Sequence, residues 1–156
     1  MINIQIPGFG RLRLNHLVLD YNGTIAMDGK PIAGVRKRLA ALSAGLSIHV
    51  LTADTFGTAA KSLAGFPLTL HVLARSGQER AKLRYVNALG ASRAVCIGNG
   101  RNDRLMLDAA ALGIVVLERE GAARDSLLAA DILVARVDEA LDLLNNPLRL
   151  VATLRS

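Results

Sequence analysis

The stretch Leu17-Val18-Leu19-Asp20-Tyr21-Asn22-Gly23-Thr24 decides the fold of this chain. Its first three residues form an apolar run short enough for a buried strand, and the run ends in a carboxylate followed at once by a Gly-containing turn. In an open α/β sheet, ligands lie beyond the carboxyl ends of the strands, where the strand order reverses. Asp20 is therefore expected to point into such a crevice. The competing reading is an Asp that only starts a tight turn, since Asp and Asn favour turns. Three further polar signatures along the chain weigh against it.

Outward from this strand the pattern alternates. Residues 1–6 and 11–14 each alternate apolar with polar side chains around Pro7-Gly8-Phe9-Gly10, which predicts a β-hairpin flanking the main sheet. Asp28-Gly29 predicts a small hairpin flap beside the site. An amphipathic helix follows over 35–43, stopped at Gly45. Strands are expected over 46–51, 68–73, 94–97, 114–117 and 132–134. Helices are expected between them over 57–63, 77–89, 104–112 and 122–130. A helix over 138–144, a break at Pro147 and a last basic helix reaching Ser156 close the chain. No repeat or linker interrupts the alternation, so residues 1–156 read as a single domain. The fold expected is α/β: one doubly wound, mostly parallel sheet with right-handed crossovers and a small N-terminal β-hairpin.

At 156 residues the chain is long enough to bury a full core unaided. Its 51% hydrophobic content, with no Trp, suits layers held by aliphatic contacts. The lone Cys96 lies in an apolar run, which excludes a disulfide framework and suggests a core thiol in a reducing compartment. Residues 1–30 lack the pattern of a secretory signal, and no apolar run approaches the ~20 residues of a membrane span. The expectation is a cytoplasmic protein without membrane contact. The net charge of +6 comes from scattered residues such as Arg11, Arg36, Arg75, Arg80 and Arg84. A diffuse excess suits an anionic substrate, and without interleaved aromatics specific nucleic-acid binding is not expected.

The polar signatures suggest phosphoryl chemistry. Asp20, ionised at neutral pH, can attack phosphorus without a base. Thr52 at the next strand's end offers a hydroxyl to a phosphoryl oxygen, and Lys82 supplies a point charge for oxygens that gain charge in flight. Asn99 and Asp103 add oxygens that complete a Mg²⁺ site with Asp20. Simpler alternatives stand beside each role. Thr52 caps a turn, Lys82 is a surface lysine with Arg80 as the anion contact, and Asn102 and Asp103 are N-cap residues. Arg101 and Arg104 read as solvated. His16, His49 and His71 stand at non-ligand spacing and read as packing or surface residues.

Asp20-Tyr21-Asn22-Gly23-Thr24 resembles the first motif of the haloacid dehalogenase (HAD) superfamily. Leu51-Thr52-Ala53-Asp54 resembles the Thr-Gly-Asp motif of its P-type ATPase branch, with Ala in place of Gly. Lys82 with Val86 resembles the third-motif lysine and its helix, and Gly98-Asn99-Gly100-Arg101-Asn102-Asp103 resembles Gly-Asp-Gly-x-Asn-Asp. The likeness spans residues 17–143 and is to soluble P-type ATPase-like hydrolases with a capless core. It implies a Mg²⁺-dependent phosphohydrolase or phosphotransferase that forms an aspartyl-phosphate on Asp20. Thr52 and Lys82 would join Asp20 as catalytic residues, and Asn22, Ala53, Asp54 and Asn102 would bind substrate phosphate. Asp20, Asn22, Asn99 and Asp103 would hold the metal.

Three departures qualify the expectation. Asn22 stands where phosphatases of the superfamily carry an acid, and an amide cannot trade protons usefully, so turnover should be slow. Asn99 stands where a metal-binding Asp is usual, so Mg²⁺ should bind more weakly. The short intervals from Asp20 to Thr52 and from Thr52 to Lys82 leave no room for a nucleotide-binding or cap domain. The uncapped site then suits a large phosphorylated substrate such as a phosphoprotein, or a small one enclosed by a neighbouring subunit of a homo-oligomer. The N-terminal hairpin and residues 148–154 are candidate contact surfaces, although burial within the monomer is the default. A non-catalytic phosphate-binding or regulatory module is the alternative function.

Overall fold

In the computed structural model, which describes residues 1–54 and 57–156, the chain opens with the antiparallel hairpin β1 (Ile2–Ile6) and β2 (Gly10–Leu14). Alternation sorts its side chains: Ile6, Leu12 and Leu14 are buried, whereas Arg11 and Arg13 face out. The central strand β3 (His16–Asp20) follows, and its Leu17, Val18 and Leu19 are all fully buried. Burial of successive residues means that both faces of this strand are covered, as parallel sheets require. The flap is β4 (Ala26–Met27) and β5 (Lys30–Pro31), joined where Asp28 and Gly29 both take positive φ, 49° and 75°.

Helix α1 (Val35–Leu42) buries Val35, Leu39 and Leu42, the stripe expected from its periodicity. The remaining elements are β6 (Ser47–Thr52), α2 (Ala59–Ser62), β7 (Thr69–Val72), α3 (Gln78–Leu89), β8 (Ala94–Gly98) and α4 (Arg104–Ala109). After these come β9 (Leu112–Val116), α5 (Arg124–Ala129), β10 (Ile132–Val134), α6 (Val137–Asn145) and α7 (Leu148–Leu154). Six strands form one sheet in the order β10-β9-β8-β3-β6-β7, and every pairing in it is parallel. The chain leaves β3 towards β6 and β7, then crosses back to build β8, β9 and β10 on the other side. In such a sheet the carboxyl end of β3, at the reversal, is where a ligand is expected to sit. Leu17, Leu19 and Val50 join the hairpin, α1 and α6 in one core layer, whereas Val18, Leu51 and Cys96 meet Val86, Met106 and Leu107 in the other.

The fold is the one expected, with shifted boundaries. The helix expected over 104–112 ends at Ala109, and the strand expected at 114 starts at Leu112. Gly113 explains the shift, because a Cβ there would lie 2.5 Å from the carbonyl oxygen of Leu107. Only a glycine lets the strand pass this close beneath the helix it has just left. The helix expected over 57–63 shortens to Ala59–Ser62. Helix α7 buries Leu150 and packs against the hairpin, so both candidate contact surfaces largely cover each other within the monomer, although Leu148 stays 80% exposed. Among the described residues, no helix is long and apolar enough to cross a membrane.

The three histidines gather under α3. His16 Nδ1 lies 3.3 Å from His49 Nε2, His49 Nδ1 lies 2.9 Å from the Tyr85 hydroxyl, and the His71 ring packs 4.4 Å from that of Tyr85. Burial, then the neighbouring His16 and His71, push His49 below the usual imidazole range. A lowered folded value means that the fold favours the neutral ring. Its stabilising contribution is complete above the unfolded value near ~6.5 and is lost as pH falls below it. Unfolding free energy should thus decline on acidification from about pH 7, at up to ~1.4 kcal/mol per pH unit for one proton. Urea titrations across this range should give a shallower decline for His49→Phe. Equal slopes would show that His49 is not the group responsible.

Candidate active site

The site forms where three strand ends meet α3. Asp20 is the last residue of β3 and pairs in register with Leu51, which places Thr52 one step further along the neighbouring strand tip. Lys82 rises from α3 on the same face as Val86, one turn on, and both are buried. Its side chain is 0% exposed, and a lysine there has to be paired. Its Nζ donates to Asp20 Oδ1 at 2.5 Å and to Asp103 Oδ1 at 2.6 Å. Burial works against the ammonium charge, but the Asp103 and Asp20 carboxylates outweigh it and hold Lys82 well above its usual range. Asp103 is pushed up by burial and by the Asp20 charge, against the pull of Lys82 and the Gly100 amide.

Asp103 also folds its own loop. Its Oδ2 accepts from the backbone N–H groups of Asn99 at 3.1 Å and Gly100 at 2.9 Å. Thr24 Oγ1, fully buried, lies 3.4 Å from Asp20 Oδ2 and 3.2 Å from Asn99 Oδ1, linking the nucleophile loop to the loop after β8. Asn99 Nδ2 donates to the Gly121 carbonyl at 2.9 Å. Asn22 Oδ1 is buried without a hydrogen-bond partner. Thr52 Oγ1 accepts from the Asp54 N–H at 2.9 Å, which directs its own hydroxyl proton to another acceptor.

Asp20, Lys82, Asp103, Asn99 and Thr24 thus form one connected network, with Asn22 and Thr52 at its border. Asp54 and Asn102 turn elsewhere. The Asp54 carboxylate accepts from Thr58 and Ala59 at 2.9 and 3.0 Å, holding the entry to α2, and its backbone takes a positive φ of 44°. Asn102 Nδ2 donates to Gln78 Oε1 at 2.8 Å and ties its loop to α3. Ala53 is half-buried between Thr52 and Asp54. Arg101 and Arg104 pair with Asp125 and Glu79 at 3.0 and 2.9 Å. With Gln78 and Asn102 they line an open concavity of about 940 Å³ beside the network rather than over Asp20.

The sequence pattern gave no role to Thr24, although it stands inside the motif, and no sign that Glu120 lies near this loop. Gly23, at a φ of 77°, is where they come together. A Cβ at this position would lie 2.5 Å from Asn99 Nδ2 and 2.8 Å from Glu120 Oε2. The positive φ favours glycine here, and its missing side chain leaves room for the ends of the Asn99 and Glu120 side chains. No local pattern in the sequence connects Glu120 with Asp20.

No family model matches the chain. It is 51% identical over 61 residues to an uncharacterized protein of Methanocaldococcus jannaschii, a match covering 39% of this chain and 66% of that protein. A second, shorter uncharacterized protein of the same organism is 51% identical over 39 residues, covering 25% of this chain and 89% of that protein. Among solved structures, a proposed HAD superfamily (subfamily III A) hydrolase from Legionella pneumophila superposes at a TM-score of 0.72 with 17% identity. The match covers 90% of this chain and 87% of that one. The fold is that of the HAD superfamily. The HAD likeness extends to 3-deoxy-D-manno-octulosonate 8-phosphate phosphatase from Moraxella catarrhalis in complex with magnesium and phosphate ions and its sugar acid. That match has a TM-score of 0.67 and 17% identity, over 91% of this chain and 94% of that one. The fold is also similar to that of the catalytic domain of the CPx-ATPase CopB-B, with a TM-score of 0.58 and 22% identity. That match covers 74% of this chain and 46% of the other.

Proposed function

We propose that this chain is a Mg²⁺-dependent phosphatase, a phosphohydrolase or phosphotransferase that passes through an aspartyl-phosphate on Asp20. One observation carries the reading. A carboxylate at a topological switch point is gripped at 2.5 Å by a fully buried lysine that a second buried carboxylate also holds. A strongly desolvated charge network at a strand tip fits a catalytic centre, and a solvent-facing turn aspartate would have no use for it.

The residues present fit a hard cation. Asn22 Oδ1 is a buried acceptor that lacks a donor, Asp20 Oδ2 has only the long contact with Thr24, and Asn99 Oδ1 faces the same hydroxyl. Among the described residues, no three His, Cys, Asp or Glu side chains gather as a ligand group. The donors are therefore few and partly neutral, which suits Mg²⁺ because it keeps several waters. Asp20, Asn22, Asn99 and Asp103 would hold it, and when bound it neutralises phosphate charge that otherwise repels the attacking carboxylate.

Asp20 then attacks phosphorus, the bond to the leaving oxygen breaks, and that oxygen takes a proton from solvent. Lys82 holds the Asp20 carboxylate in place at 2.5 Å, and its positive charge favours the more anionic transition state. Thr52 directs its free hydroxyl proton to a phosphoryl oxygen. Water next attacks the aspartyl-phosphate, loses a proton to solvent, and restores Asp20. Asn22 lies beside this path but exchanges no proton, so both steps run without general acid–base help. Asn22→Asp should raise steady-state hydrolysis of p-nitrophenyl phosphate by about 10²-fold, the lower end of what such help supplies. An unchanged rate would place the slow step elsewhere.

In this reading the substrate is a phosphorylated small molecule or a phosphoprotein. The Asn residues at 22 and 99 favour one second reading, a phosphate-binding or regulatory module without turnover. Incubation with labelled acetyl phosphate and Mg²⁺ separates the two. The catalytic reading expects acid-stable incorporation of label, and reversible phosphate binding without incorporation would leave the module.

A further inference from the structure

We propose that Glu120, from the loop between β9 and α5, supplies the carboxylate charge that Asn99 does not carry and so strengthens cation binding at Asp20. The inference rests on the metal-dependent reading above. Glu120 Oε2, Asn99 Nδ2 and Asn99 Oδ1 all lie within 2.9 Å of a single point, the place where a Cβ of Gly23 would stand. Gly23 is the immediate neighbour of Asn22, whose Oδ1 is buried and unpartnered. Glu120 thus stands beside the Asn99 side chain, whose Oδ1 meets the Thr24 hydroxyl at 3.2 Å, and that hydroxyl lies 3.4 Å from Asp20 Oδ2; a carboxylate at this place adds negative potential that favours a cation.

The Asn99 amide brings the carboxylate to this place. Asn99 Nδ2 donates to Gly121 O at 2.9 Å, and Asn99 O accepts from Ala123 N at 2.8 Å, so residue 99 clamps the segment that follows Glu120. An aspartate at 99 could not donate to Gly121 and would set its own charge against both that carbonyl and Glu120. Asn99 and Glu120 thus work as a pair: the amide gives up the charge at one position and secures the loop that provides it from another. The neighbours in the loop are committed elsewhere. Glu118 Oε1 accepts from Val137 N at 2.6 Å, and Arg119 lines a separate groove with Asp28 and Arg136. Asp20, Asp103 and Glu120 do not gather as a common ligand set, so Glu120 acts through its field and through water. Groups around a metal that do not ligate it typically contribute 10–100-fold to its affinity. Because Glu120 is exposed, the lower end applies.

Isothermal titration of the full chain with MgCl₂ tests the proposal, using wild type, Glu120→Gln and Glu120→Lys. The expected result is binding weakened about 10-fold in Glu120→Gln and further in Glu120→Lys, with unchanged melting temperatures in metal-free buffer. An exposed side chain can be exchanged without loss of the fold. Affinities within about two-fold of wild type in both variants would overturn the proposal. Equal weakening in both would also overturn it, since the effect would then come from a lost contact and not from charge. A lowered metal-free melting temperature that accounts for the weakening would make the role structural and overturn it too. Should wild type itself bind no Mg²⁺, the metal-dependent reading fails first, and Glu120's role fails with it.

Discussion

Lys82→Met is expected to destabilise the protein by about 3–5 kcal/mol and to abolish phosphate incorporation. The magnitude follows from breaking a buried ion pair on one side only. Wild-type Lys82 is 0% exposed and serves two carboxylates at 2.5 and 2.6 Å, of which Asp103 is itself 0% exposed. Removing the ammonium leaves two anions facing each other in a low-dielectric pocket, where neither can reach enough water. Methionine fills a similar volume, so packing loss is a minor part of the effect. The pH dependence separates charge from packing. Unpaired buried carboxylates have folded pKa values above their unfolded ones, and stability from such groups is retained at low pH and lost as pH rises through the folded value. The deficit in Lys82→Met, read from urea unfolding, should therefore be largest at neutral and alkaline pH and smaller near pH 5. A deficit that stays constant across that range would assign it to packing and remove Lys82 from the charge network.

Asp20→Asn should reduce labelled-phosphate incorporation at least ~10³-fold, the scale on which loss of a nucleophile is felt. The amide has almost the same shape but no oxygen basic enough to attack phosphorus. The fold should survive, because Lys82 keeps its bond to Asp103 at 2.6 Å. The substitution also removes one of the charges that push Asp103 up, so the remaining pair is less strained electrostatically than in wild type. A folded Asp20→Asn protein that still takes up label would move the phosphorylation to another residue. Together the two substitutions distinguish the attacking group from the group that holds it. Only the lysine variant is expected to lose stability steeply with pH.

Much of this arrangement was legible before any coordinates. An apolar run of strand length that ends in Asp20, repeated at Thr52 and at Gly98, determines an α/β sheet with polar loops at one end. That follows because burial on both faces of a parallel strand admits almost no polar residue before the tip. The helix over 77–89 was legible too, and the resemblance paired its Lys82 with Val86, but only the structure shows both buried.

The sequence left open which reading of each polar residue holds. Lys82 as a surface lysine and Asp103 as a plain cap were both compatible with local pattern. Hydrogen-bond partners decide such matters, and those partners lie far along the chain: Lys82 meets residues 62 and 21 positions away, and Thr24 meets Asn99 across 75. Glu120 had no sequence signal, because it reaches the centre only through Asn99's grip on Gly121 and the missing side chain of Gly23. Local composition fixes where strands end and which faces are buried, since both depend on neighbours in sequence. Which charges meet depends on the strand order β9-β8-β3-β6, and that order exists only once the sheet has assembled.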